Sequence, residues 1–119
     1  DNKDQAAKLS ISEIDLVLQQ VRGCFIIGTG VNRDLINENM FVNISAIIRK
    51  NRRVVESSIR IIDTNISKSN PVYGPITESA MRVLLNPDCI PLRLPEDKYD
   101  LWKDLTLKFD YGVISGNKK

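Results

Sequence analysis

Cys24 and Cys89 are the two side chains of this sequence with the most chemistry to offer, and the chain contains no histidine to serve them. A thiolate can act as nucleophile, metal ligand or half of a disulfide. Without histidine, Ser–His and Cys–His catalysis is excluded. Two thiols alone do not complete a four-ligand zinc site, and no C-x-x-C redox spacing is present. The residues leave two readings open. The cysteines are buried, inert small hydrophobes, or they are a disulfide closing a loop of about 65 residues, worth roughly 4 kcal/mol in the chain-entropy description. The choice bears on location, because a structural disulfide implies an oxidising compartment.

Other clusters carry less. Glu96, Asp97, Asp100 and Asp104 alternate with Lys98 and Lys103, which describes a solvated face. Catalytic carboxylate pairs need an enclosed pocket that separates their pKa values. Gly28-Thr29-Gly30 suggests a phosphate loop, but Arg33 stands where the third glycine belongs, so the segment reads as a plain loop. Arg49, Lys50, Arg52 and Arg53 gather in "RKNRR". Four cations at one turn could meet an acidic protein surface. No aromatic residues interleave them, as stacking on nucleic acid would favour. Asn43 and Asn65 each open an N-I-S triplet, a pattern too short to weigh. The expectation is therefore no catalytic residue, no metal and no cofactor.

The elements that must position these residues follow from composition and period. The chain has 119 residues, 42% hydrophobic and 27% charged, which fits one globular domain. A net charge of +2 does not point to nucleic acid. No apolar run approaches the ~20 residues of a membrane span. The opening "DNKDQAAKLS" is polar and lacks the pattern of a signal peptide.

A first helix is predicted from Ser10 to Arg22. Ile11, Ile14, Val17, Leu18 and Val21 form its apolar stripe, Ser10 and Glu13 its capping box, and Gly23 its stop. From Phe41 to Arg49 the period changes to two, with Val42, Ile44, Ala46 and Ile48 sharing one face. "RKNRR" turns the chain into a second strand, "VVESSIRIID", with Val55, Ile59 and Ile61 on one side. A second helix, Ile76 to Leu85, should bury Ile76, Ala80, Val83 and Leu84 and stop before Pro87. "NPDCIPLRLPEDKY" then crosses in extended form into a short helix opened by Pro95, with Tyr99 and Trp102 on one face. "LTLKFD" alternates as a third strand, with Leu105, Leu107 and Phe109 inward. This order predicts an α+β, two-layer sandwich with a three-stranded antiparallel sheet packed with helices. Residues 1–9 read as a polar leader, 10–111 as the domain and 112–119 as a tail.

Residues 80–110, "AMRVLLNPDCIPLRLPEDKYDLWKDLTLKFD", resemble the C-terminal domain of TolA proteins, in particular alphaproteobacterial ones. The shared features are a helix, a cysteine, a proline–leucine–x–leucine–proline crossing, a tyrosine–tryptophan helix and an "L-x-F-D" strand. "VLQQVRGC" is similar to that family's first helix ending at its first cysteine. Two features depart from the family: the hairpin turn lacks glycine, and Phe25 stands where tryptophan is usual.

The resemblance implies a disulfide between Cys24 and Cys89 and a monomeric, non-enzymatic domain in the periplasm. Such a domain is carried on a stalk from an inner-membrane anchor outside these residues, through which it meets inner-membrane partners. Its expected partners are TolB-like and Pal-like proteins of the Tol–Pal system, which maintains the envelope during division; phage coat proteins and colicins use related domains. The last strand, with Thr106, Leu107, Lys108, Phe109 and Asp110, is the expected docking edge, its outward residues Thr106, Lys108 and Asp110 selecting the partner. A TonB-like domain that energises outer-membrane transporters is the nearest alternative. A nucleic-acid module using the Arg49–Arg53 tip is an alternative of another class.

Overall fold

The computed structural model describes residues 10–27 and 31–115. The Gly28–Gly30 loop reading lies outside the described residues. The architecture is a small α+β domain, a three-stranded antiparallel sheet packed against helices.

Helix α1 spans Ile11–Cys24. Its start is the expected capping box: Ser10 Oγ accepts the Glu13 N–H at 3.1 Å, and the Glu13 carboxylate accepts the Ser10 N–H at 2.7 Å. Val17 and Val21 are buried, and Leu18 packs beside them. The predicted stripe fails at its first turns, where Ile11 is 79% and Ile14 37% exposed. Gly23 does not stop the helix. It continues to Cys24, and the chain turns extended at Phe25, whose ring is buried against Phe109 at 6.2 Å between centroids.

Strand β1, Val42–Ile47, is the centre of the sheet. Val42, Ile44, Ala46 and Ile48 are all buried, as their period demands. The second strand is shorter than predicted. Val54 forms only an isolated bridge with Ile48, Glu56–Ser58 make a 3-10 turn, and β2 runs Arg60–Thr64. Val54 rather than Val55 is the buried valine, while Ile59 and Ile61 pack against the core as expected. Between Ile61, opposite Ile44, and Asp63, opposite Asn43, Ile62 is an extra residue. This bulge leaves Ile62 51% exposed.

Helix α2 spans Tyr73–Val83, starting earlier than Ile76 and placing Pro75 in its first turn, where no intrahelical donor is needed. Ile76, Ala80, Val83 and Leu84 are buried. The crossing beyond Pro87 is tied on both sides. Cys89 forms a disulfide with Cys24, with Cα atoms 6.2 Å apart, and the Leu92 N–H donates to the Arg52 carbonyl of the hairpin tip at 3.0 Å. Pro95 precedes a 3-10 turn, Glu96–Lys98, that runs directly into α3, Tyr99–Trp102. Trp102 is buried edge-on to Tyr99 at 4.7 Å, and its Nε1–H donates to the Pro95 carbonyl at 2.6 Å. Strand β3, Asp104–Phe109, follows with strict alternation of burial.

The core runs past residue 111, where the sequence suggested a tail. Helix α4, Tyr111–Ile114, is capped by Asp110 and buries Val113 and Ile114 while packing on α1.

Candidate functional site: the open edge of strand β3

The sheet order is β2-β1-β3, so among the described residues β3 has one paired side and one unpaired side. Its register on β1 is unbroken from Val42 opposite Phe109 to Ile47 opposite Asp104. The hydrogen bond from Ile48 N–H to Lys103 O, 2.8 Å, fixes the phase one step beyond the strand. Antiparallel ladders alternate. The Lys103 carbonyl and the backbone groups of Leu105, Leu107 and Phe109 therefore turn to β1, and Asp104, Thr106 and Lys108 turn theirs to the open edge. The other side of β1 agrees, since the Ile47 carbonyl accepts from Val55 N–H at 2.9 Å, away from β3.

Side chains sort in the same way. Leu105, Leu107 and Phe109 are buried, and Asp104, Thr106 and Lys108 are exposed. Three successive outward residues thus present backbone donors and acceptors that are unpaired among the described residues, together with polar side chains. Such an edge can template a further strand, with main-chain bonds supplying affinity and alternate side chains supplying selectivity.

This geometry divides the expected edge residues. Thr106 and Lys108 are placed to meet a partner strand. Leu107 and Phe109 are core residues whose backbone is engaged with β1. Asp110 lies beyond the strand and caps α4, accepting the Val113 N–H at 3.3 Å, so it is not an edge residue. Asp104 belongs to the edge and was missed. Carrying the period-two pattern one step back from Thr106 would have found it. Lys108 Nζ lies 5.0 Å from the centroid of the Phe41 ring, a cation–π contact across the outer face of the sheet. The other edge is a poorer template, because β2 is short and its bulge interrupts the ladder beside Ile62.

The hairpin-tip cations do not form one free patch. Arg52 adopts a positive φ of 66°, which brings its side chain back to Glu96 at 3.6 Å, with Nε buried. Lys50 lies over the Tyr99 ring, 5.6 Å from its centroid. Arg49 and Arg53 are exposed. The positive φ explains how the turn closes without glycine, since Arg52 itself occupies the left-handed region.

A shallow groove of about 460 Å³ lies beside the disulfide, lined by Cys24, Ile26, Val83, Leu85, Arg82 and Pro87 among others. Among the described residues no group of three or more Cys, Asp or Glu side chains converges as metal ligands would. No described helix is long and apolar enough to cross a membrane. Compared with known protein families, curated proteins and solved structures, the chain matches none.

Proposed function

We propose that this is a non-enzymatic docking domain that captures an extended segment of a partner protein along the open edge of β3. The observation that carries the reading is the uninterrupted edge itself, with the backbone groups of Asp104, Thr106 and Lys108 facing outward. The resemblance of residues 80–110 to TolA C-terminal domains supplies the setting: a periplasmic domain of an inner-membrane-anchored Tol–Pal protein that binds TolB-like and Pal-like partners. The Cys24–Cys89 disulfide supports an oxidising compartment. The disulfide ties the end of α1 to the crossing that precedes α3 and β3, a cross-link suited to a domain that bears load between membranes.

The test is retention of purified TolB-type and Pal-type proteins, and of proteins from an envelope extract, on the immobilised oxidised domain. Retention of either Tol–Pal protein supports the assignment, and retention of an outer-membrane transporter instead selects the TonB-like alternative. Lys108→Pro removes an outward donor without touching the β1 ladder, so it abolishes capture if the edge is the docking site. A folded Lys108→Pro domain with unchanged affinity contradicts that reading.

A further inference from the structure

The charges along the open edge have an order that is self-complementary. Reading outward residues only, β3 presents Asp104, Thr106 and Lys108, an acid, a neutral hydroxyl and a base at equal spacing. A second copy approaching antiparallel about a twofold axis through Thr106 would set Thr106 opposite Thr106 and each Asp104 opposite the other copy's Lys108. All three are residues whose backbone groups face outward, so every pair in this register is a hydrogen-bonded pair. Threonine pairs and opposite charges are favourable when directly opposed across strands.

Neighbouring registers are worse for identifiable reasons. Sliding by one residue opposes outward backbone groups to inward ones and turns the core face outward. Moving the axis to Leu107 sets Asp104 against Asp110, two carboxylates. Centring on Lys108 opposes two ammonium groups. An axis at Leu105 sets Asp104 against Thr106 and carries Lys108 past the strand end to Trp102 of α3, which is buried. The Thr106-centred register alone matches opposite charges at both ends.

We infer that the domain, which the resemblance implies is monomeric, self-associates at high concentration into a twofold dimer by pairing β3 with β3 of a second copy, giving a continuous six-stranded sheet and masking the proposed docking edge. The inference rests on the same open edge as the proposed function, and it makes self-pairing and partner capture mutually exclusive. Three outward residues a side are a small contact beside the roughly 1,200–2,000 Å² of a stable complex. The dimer is accordingly weak and concentration-dependent, a reversible cap that a better-matched partner strand displaces. Neither carboxylate nor ammonium is committed elsewhere by a strong bond. Among the described residues Asp104 accepts only a 3.4 Å hydrogen bond from Ser45 Oγ, and Lys108 has only its exposed contact with the Phe41 ring.

Sedimentation velocity of the oxidised domain over about 10 μM to 1 mM tests this, a range in which weak pairing is visible. The wild type should shift from monomer to dimer. Asp104→Lys, which sets like charges against each other twice, should weaken the dimer roughly tenfold or more. The double variant Asp104→Lys with Lys108→Asp restores opposite pairing and should regain it. Far-ultraviolet circular dichroism confirms that each variant is folded. A wild type monomeric throughout, or a dimer indifferent to both variants, overturns the inference. A monomeric wild type that still loses TolB-type or Pal-type capture on Lys108→Pro overturns self-pairing alone and leaves the docking edge standing.

Discussion

The side-chain amide of Gln20 grips the backbone beside Arg93: its carbonyl oxygen accepts the Arg93 N–H at 2.8 Å. Its NH₂ group donates to the Pro91 carbonyl at 2.8 Å and to the Cys89 carbonyl. One side chain of α1 therefore holds the stretch Cys89 to Arg93 of the proline-rich crossing, four residues before the disulfide that ties the same two segments. Gln20→Ala removes three hydrogen bonds at a half-buried site whose freed groups water can reach in part. A loss of about 1–2 kcal/mol is expected, readable as a lower thermal midpoint with the sheet signal retained.

Reduction of Cys24–Cys89 releases the constraint on a loop of 65 residues. The expected loss is at most about 4 kcal/mol. The native fold persists at low temperature, because the Gln20 grip and the buried Leu92 and Leu94 keep the crossing docked. Denaturant unfolding of oxidised and reduced protein measures the difference. Reduced Gln20→Ala should loosen the crossing between Asn86 and Pro91, visible as increased proteolysis near residue 90, while Leu92 and Leu94 stay docked.

The phase of β3 yields a contrast between adjacent residues. Leu107→Pro deletes a ladder bond to β1 and a buried side chain, so a loss of at least about 4 kcal/mol is expected. Lys108→Pro touches neither and should cost about 1 kcal/mol, as proline is tolerated on the open side of edge strands. Amide exchange should show the same parity, with Leu105 and Leu107 protected and Thr106 and Lys108 exchanging fast. Protection of Thr106 and Lys108 equal to that of their neighbours in dilute monomer would refute the assignment.

Much of this parity was legible in the sequence. The alternation of Val42 to Ile48 and of Leu105 to Phe109 fixes which side chains face the core, and the Ser10–Glu13 box fixes where α1 begins. Which strand lies at an edge depends on strand order, and no local period encodes that. Ile11 and Ile14 continue the stripe of α1 yet stay exposed, and the nearest described contact at the helix's first turn is polar, the Glu13–Lys98 pair. The second strand fails between Val54 and Arg60 because Glu56–Ser58 form a turn, with Ser58 Oγ donating to the Val55 carbonyl at 2.6 Å. Helix α4 is too short for periodicity to reveal, although Asp110 before Val113 carries a capping signal.

Glu13 links stability to pH. Its carboxyl is held below the ordinary value of 4.5, first by the Ser10 backbone N–H and next by Lys98, whose Nζ lies 3.1 Å from both carboxylate oxygens. A depressed folded pKa contributes stability that is present above the unfolded value and is lost as pH falls through the folded one. The wild type should therefore lose part of its thermal midpoint between pH 4.5 and more acidic conditions. Glu13→Gln, which cannot ionise, should start lower at neutral pH and show a flatter acid limb. Parallel acid limbs in the two proteins would count against this role.

The proposed docking edge is tested most directly by the affinity of folded Lys108→Pro, beside wild type, for whichever purified TolB-type, Pal-type or other envelope protein binds the wild-type domain. Loss of binding with an unchanged circular dichroism spectrum is the predicted result. Wild-type affinity in that variant would contradict capture at β3.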